Sequence, residues 1–516
     1  MSFTDLFYIP FMALVVLFYF NIAGKHQWKV LLVASIIFYA TWGIGKIPLI
    51  LAEIWIAWMA SGRITRRYQQ ADVSAQQCSD RQQVAAIKTK AKESGRMDLI
   101  IAIVLLCGFL VFVKVGSLFG DALTGRISVI VPLGISYYTL SLIGHVADCY
   151  WRKDAAQASF FRFALFSLYF PKILEGPISR YSNLGEQLIS PHSFSYDRMC
   201  RGIWLIMWGY YQKLVIADRV AIIVKEVFEH YQIYNGSLLL VAAMLSSVQL
   251  YCDFAGCMNI AFGFSEILDI RLEKNFHYPF FSETAAEFWR RWHITLGTWF
   301  RDYVFIPVSI SPWLMNIASR LRTKYGRNTA KKISVIIPLL IVWLLTGLWH
   351  GTGWIYIVWG LYWGILIIMG TLFAPQNKLM TQLLHIDPDG WGYHTFRKIR
   401  TFLIFTIGRI LTVPRNLAVS WTVLKKIMIH FAPWDLVNGQ LYQLGLDRPN
   451  LHLAILCIVL LWLVHRYGEK ASIRDWLASR GIVIRWLLLY GLLFSILIFG
   501  VYGPAYDTSS FIYMNY

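Results

Sequence analysis

Apolar runs recur along almost the whole chain, among them residues 99–113, 333–349, 355–373, 451–464 and 482–501. A helix crossing a bilayer needs about 20 mainly apolar residues, somewhat fewer where neighbours cover its ends. The pattern predicts spans at 6–20, 30–42, 47–60, 99–113 and 129–147. Further candidates lie at 203–216, 238–264, 401–413, 451–464 and 482–501. Residues 333–373 contain no charged side chain and predict a hairpin of two spans joined at 347–353 (GLWHGTG). The length rule then gives about eleven crossings. Segment 160–170 is short for a crossing and runs into Pro171. It suits a re-entrant element, which a membrane tolerates only where protein or water covers the backbone.

Two stretches interrupt this pattern. Residues 61–98 hold Arg63, Arg66, Arg67, Arg81, Lys88, Lys90, Lys92 and Arg96 among many glutamines. They are expected to form a basic cytoplasmic loop, part helical and mobile. Residues 266–332 mix both signs of charge with Trp, Phe and Pro. Short amphipathic helices on the cytoplasmic side are expected there, some dipping into the bundle.

Composition supports one continuous membrane domain over 1–516. Hydrophobic residues make up 57% of the chain and charged residues 15%, against about 25% charged in soluble domains. The fold class is therefore all-α and polytopic. A net charge of +19 would suggest nucleic acid in a soluble protein. Here the basic residues cluster between apolar runs, as they do in cytoplasmic loops, and no nucleic-acid motif is present, so no such partner is expected. The first run follows Asp5 with no Lys or Arg before it, a poor signal peptide. It reads as a retained helix with the N-terminus outside, in the cell membrane. The seven cysteines are scattered without a C-x-x-C, so neither a disulfide framework nor a metal site is implied.

His350 stands out as the candidate for chemistry. An ionisable side chain inside a long apolar stretch is costly, and by default it marks function. Burial disfavours imidazolium, leaving the neutral ring that accepts a proton. Gly347, Gly351 and Gly353 allow close approach. The alternative is a histidine capping a carbonyl in a helix turn. His293 lies in EFWRRWHITLG, residues 287–297. On one continuous helix Glu287, Arg290, His293, Gly297 and Arg301 share a face, while Trp289, Trp292, Leu296 and Trp299 share another. That is either an interfacial helix anchored by tryptophan or a basic docking face for an anionic donor such as coenzyme A. Asp253, near Asn259, is a structural counter-ion to an arginine or a proton relay. Glu175, bracketed by Pro171 and Pro177, raises the same choice. Nucleophile-elbow, P-loop, dinucleotide and zinc-protease motifs are absent from the sequence.

Several blocks occur together and in order: 131–138 (VPLGISYY), 169–181 (YFPKILEGPISRY), 211–219 (YQKLVIADR), 249–263 (QLYCDFAGCMNIAFG), 275–280 (NFHYPF), 287–307 (EFWRRWHITLGTWFRDYVFIP) and 345–364 (LTGLWHGTGWIYIVWGLYWG), with an aromatic end at 511–516. In these the chain resembles the membrane-bound O-acyltransferase family, in its bacterial alginate O-acetyltransferase branch. It departs from that pattern at Ala255-Gly256-Cys257, where Ser-Gly-Tyr is frequent, and at Leu174-Glu175-Gly176-Pro177. The resemblance implies that His350 is the catalytic histidine and His293 a second active-site histidine. It also implies a central tunnel, with the donor entering from the cytoplasm and the acceptor from outside. Arg290, Trp289, Asn275, Asp253 and Trp349, all in matched blocks, are then expected to bind substrate.

The implied activity is transfer of an acetyl group for O-acetylation of an exported or cell-envelope polysaccharide. No bound cofactor is expected, and acetyl-CoA is the expected donor. The expected partners are membrane lipid and a periplasmic or extracellular acetyltransferase or small membrane acceptor protein, which reaches polysaccharide in turn. D-alanyl transfer to teichoic acid from a carrier protein is the rival within the class. A flippase of an activated donor and a scaffold for a polysaccharide synthase are rivals from other classes.

Overall fold

The computed structural model describes residues 1–123, 132–157 and 159–502, with the side chains of 115–123 left out. The first residues of the span expected at 129–147 and the aromatic end at 511–516 lie outside the described residues. Among the described residues the chain is 79% helical without strands, an all-α architecture. Seven of the helices are long and apolar enough to cross a membrane: Ile44–Gln76, Arg81–Lys114, Gly236–Ile267, Arg327–His350, Trp354–Leu372, Arg448–Gly468 and Ile482–Phe499. Tyr8–Asn21, Gln27–Ala40 and Ile135–Tyr150 are shorter helices at predicted spans. Ile496 is the one buried residue of Ile482–Phe499, and Leu487 and Ile498 are 68% and 67% exposed. An apolar face of that size is stable only against lipid or another apolar surface. This is a multi-pass membrane protein.

The chain forms two compact units, Met1–Ile203 with Ala261–Glu273, and Trp204–Ile260 with Lys274–Tyr516. In the first unit, residues 61–98 are not a loop. They are the ends of two long helices, Ile47–Gln76 and Arg81–Leu123, joined by a four-residue turn at 77–80. The stretch is rich in Ala, Gln, Lys and Arg, all strong helix formers. An ion pair of 2.7 Å between Arg67 and buried Asp98 ties the two helices together. Deeper in this unit the Glu53 carboxylate accepts hydrogen bonds from Tyr138 (3.1 Å) and Thr139 (2.7 Å). Glu175 is fully buried there, just beyond the short helix Phe170–Ile173. Gly134 needs to be glycine twice over. Its φ is +70°, and a Cβ would lie 2.0 Å from the Ile173 carbonyl oxygen.

The second unit holds both candidate histidines. Its core is aromatic, with Trp292 and Trp363 fully buried and Phe288 and Phe405 packed against them. Two close helix approaches organise it. A Cβ on Gly256 would come within 2.8 Å of the Gly209 carbonyl oxygen. That proximity lets Lys213, on the π-helical turn Tyr211–Ala217, reach Asp253 at 2.6 Å and Asp218 at 2.8 Å. The counter-ion of Asp253 is thus a lysine rather than an arginine.

The second approach is in the predicted hairpin. Arg327–His350 and Trp354–Leu372 are its arms. A Cβ on Gly347 would meet the Tyr356 carbonyl oxygen at 2.3 Å, and one on Gly360 the Trp343 carbonyl oxygen at 2.4 Å. The arms touch backbone to backbone one turn before His350. Gly360→Ala is therefore expected to push them apart, at about 1–3 kcal/mol for an overpacked methyl. A lower unfolding temperature in detergent, together with reduced activity, would show it; an unchanged melt would mean that the arms separate freely.

Candidate active site

Local structure places His293 in a way that helical periodicity missed. Thr284 starts the helix Ala285–Arg291 by accepting a hydrogen bond from the Glu287 N–H, while Glu287 accepts from the Glu283 N–H at 2.9 Å. The T-A-A-E sequence is a capping signature that foretells this short helix. The chain then leaves the helix at Trp292, which is extended, and a new helix, Ile294–Phe300, begins after His293. The helical face predicted through Glu287, Arg290, His293 and Arg301 therefore does not exist as one surface. The break is held from outside. Segment 275–277 lies antiparallel to 291–294, with the His277 N–H donating to the Arg291 carbonyl (2.9 Å) and the Ile294 N–H to the Asn275 carbonyl (3.0 Å). His293 itself sits at φ +47°, ψ +49°, a left-handed conformation that few non-glycine residues adopt and that tends to mark functional sites.

Asn275 decides the chemistry of that ring. Its Oδ1 accepts from the Thr295 backbone N–H (3.2 Å) and from the Thr295 hydroxyl (2.9 Å). A backbone N–H only donates, so the oxygen of the amide must face this way. His293 Nδ1, 3.3 Å from the same oxygen, then carries the proton. The basic nitrogen is left as Nε2, the second-shell selection by which a hydrogen bond sets a tautomer. Burial pushes the His293 pKa down to about 3, so the ring is neutral at any physiological pH.

That shift has a consequence for stability. On acidification the unfolded chain takes up a proton near the ordinary value of 6.5, while the native ring refuses it until about 3. The contribution of His293 is thus fully present above pH 6.5 and is lost as pH falls through that window, by up to about 1.4 kcal/mol per pH unit. His293→Gln is expected to melt with a shallower pH dependence between 6.5 and 4 than the parent. Parallel curves would show that the ring titrates normally.

His350 ends the helix Arg327–His350 and is buried. Trp349 touches both histidines edge-on, with ring centroids 5.8 Å from His293 and 4.8 Å from His350. Trp359 meets His350 edge-on at 5.0 Å. Beside the His350 ring lies a cavity of about 30 Å³, lined also by Trp289, Tyr356, Trp359, Arg409 and Thr412. That is room for one or two water molecules, or for the oxygens of a hydroxyl and a carbonyl.

The structure therefore joins His350 and Trp289 at one cavity, with Trp349 between His350 and the His293–Asn275 pair. Arg290 is exposed and does not line the cavity. Asp253 does not line it either and is held in the ion pair with Lys213. The chief residue that sequence reading missed is Arg409. Its signal was present: it is the only charged residue of the apolar run 401–413, the same kind of observation that picks out His350.

Residues 35–318, more than half of the chain, match the membrane-bound O-acyltransferase family, MBOAT. The chain belongs to that family. Asp253, Asn275 and His293 fall inside the matched span, and His350 and Arg409 lie beyond it. The chain is 27% identical to a protein of Pseudomonas aeruginosa described as a probable alginate O-acetylase, AlgI, over 90% of this chain and 82% of that protein. It is also 27% identical to the peptidoglycan O-acetyltransferase of Helicobacter pylori, over 73% and 71%. To the teichoic acid D-alanyltransferase of Bacillus subtilis it is 32% identical, over 48% and 60%. The MBOAT protein described here is an O-acyltransferase. Its family chemistry is acyl transfer to a hydroxyl.

Proposed function

We propose that this MBOAT enzyme passes an acetyl group from a cytoplasmic thioester, acetyl-CoA, to a hydroxyl acceptor that serves O-acetylation of a cell-envelope polysaccharide. The observation that carries the reading is a buried histidine, His350, opening on a small cavity, with Trp349 in edge contact both with it and with a second histidine. His350 takes the hydroxyl proton as the oxygen attacks the thioester carbonyl, a contribution of about 10²–10⁴-fold in rate. The C–S bond then breaks, and the departing thiolate recovers the proton from His350. Neutral His293 acts on the site through Trp349, whose indole touches both imidazoles. Trp349 holds the two rings in register.

Acetyl as the group and polysaccharide as the destination follow the alginate and peptidoglycan O-acetylating relatives. A periplasmic or membrane-anchored partner carrying the acceptor hydroxyl is part of the proposal, as is an N-terminus outside the cytoplasm. The teichoic acid relatives favour a second reading, D-alanyl transfer from a carrier protein. The deciding experiment supplies purified protein in lipid vesicles with radiolabelled acetyl-CoA on one side and collects acylated acceptor on the other. Covalent transfer to a hydroxyl is expected. Movement of intact donor without ester formation would instead indicate a transporter, and transfer only from an aminoacylated carrier would support the D-alanyl reading.

A further inference from the structure

Arg409 is a buried guanidinium in the helix Trp391–Thr412, and it lines the His350 cavity. Buried arginines are normally neutralised by a carboxylate, because an uncompensated charge in a dry interior is costly. Among the described residues no carboxylate pairs with Arg409. Its side-chain hydrogen bond is one from Nη1 to the Thr412 hydroxyl at 3.1 Å, and its Nε–H is buried without an acceptor. Thr412 also lines the cavity, and its hydroxyl bonds back toward the Arg409 carbonyl (3.3 Å). The threonine therefore steadies the guanidinium without neutralising it.

The surroundings narrow what this cation is for. The cavity is small, about 30 Å³. It does admit an oxygen atom or two. Indoles and rings make up most of its wall, so the local dielectric is low and a fixed positive charge acts strongly on any negative charge that develops there. Base catalysis at His350 creates such a charge on the carbonyl oxygen of the acyl group.

We propose that Arg409 is a further catalytic residue of the transfer, donating hydrogen bonds to the acyl carbonyl oxygen as it becomes an oxyanion beside His350. The inference rests on the acyl-transfer reading and adds to it the group that stabilises the intermediate. The acceptor oxygen bonds to the carbonyl carbon, and its proton moves to His350. The π pair of the carbonyl moves onto oxygen facing Arg409. Collapse restores the carbonyl, breaks the C–S bond and returns the proton to the thiolate. A preorganised donor of this type is worth about 10²–10³ in kcat.

The test measures kcat, KM for the acyl thioester and unfolding temperature of the purified protein carrying R409Q, R409K or T412V. R409Q is expected to lower kcat by about 10²–10³-fold with KM within about threefold of the parent. R409K, which keeps the charge but not the fork, is expected to recover at least about tenfold of that loss. A raised KM at unchanged kcat, or a kcat within about threefold of the parent, overturns the proposal. Equal loss in R409Q and R409K also overturns it, because a structural arginine would behave so. If R409Q does not fold, T412V decides. About tenfold lower kcat at unchanged KM supports the role of a steadied guanidinium, and unchanged kcat overturns it. An inactive H350A beside a fully active R409Q refutes this inference alone, whereas activity in both refutes the acyl-transfer mechanism itself.

Discussion

Replacing His350 with alanine is expected to lower acyl transfer about 10²–10⁴-fold, the worth of a positioned general base, while the protein accumulates normally. The ring is the only proton acceptor of its kind on the cavity wall, where indoles and a guanidinium make up much of the rest. Truncation is expected to leave the hairpin in place, because the helix end keeps its backbone closure, the Gly351 N–H bonding to the Gly347 carbonyl at 3.2 Å. The edge contacts with Trp349 and Trp359 are lost, which costs packing but does not open the arms. His350→Gln, closer in size, serves as the control for that packing loss and is expected to be as inactive as the alanine variant. Activity of the reconstituted protein, normalised to folded protein, is the measurement. Transfer at parental rates in both variants would remove the proton acceptor from the mechanism.

Lys213→Met is expected to be the most damaging change to stability. The lysine neutralises two carboxylates, Asp253 and Asp218, whose side chains are 1% and 18% exposed. Removing the cation strands Asp253 in the core, and breaking a buried pair from one side costs about 3–5 kcal/mol. Taking both partners away together, as Lys213→Met with Asp253→Leu, removes the stranded charge. Most of the loss is then expected to return, since apolar replacements of buried pairs are often neutral. Asp218, 18% exposed, also loses its lysine in the double change, which keeps the recovery short of complete. Thermal unfolding in detergent measures the cycle. A double variant no better than the single one would mean that the lysine acts through some contact other than Asp253. Because neither residue lines the His350 cavity, activity per folded molecule is expected to survive the double change, which would separate Asp253 from substrate binding.

Much of this protein was legible before any coordinates. The all-helical membrane architecture follows from apolar runs whose length matches a bilayer, and no tertiary contact is needed to read it. The hairpin at 333–373 and the position of His350 at its joint followed from an uninterrupted apolar stretch punctuated by glycines. The basic stretch at 61–98 was misread for a local reason. Charge along a helix surface and charge in a loop look alike when the apolar stripe is as thin as Ile64, Tyr68 and Ala71, and the pairing of Arg67 with Asp98 is a contact between separate helices.

Two of the three changes of unit, at 203/204 and 260/261, fall inside the helices Tyr196–Tyr210 and Gly236–Ile267. No linker composition marks them, so the chain reads as one piece. His293 shows the limit most clearly. Its spacing promised a helical face, but hydrogen bonds from a segment some eighteen residues earlier in the chain bend the backbone into a left-handed turn and choose its tautomer.

Sequence alone therefore determined the class of the protein and the histidine most costly to place in lipid, because each depends on the local apolar pattern. Tertiary structure decided which of the other polar residues share a cavity with that histidine. Arg409 does, while Asp253 and Arg290 do not. Proximity between distant helices is set by where glycines let backbones meet and which side chains then face one another, and no window along the chain contains that information.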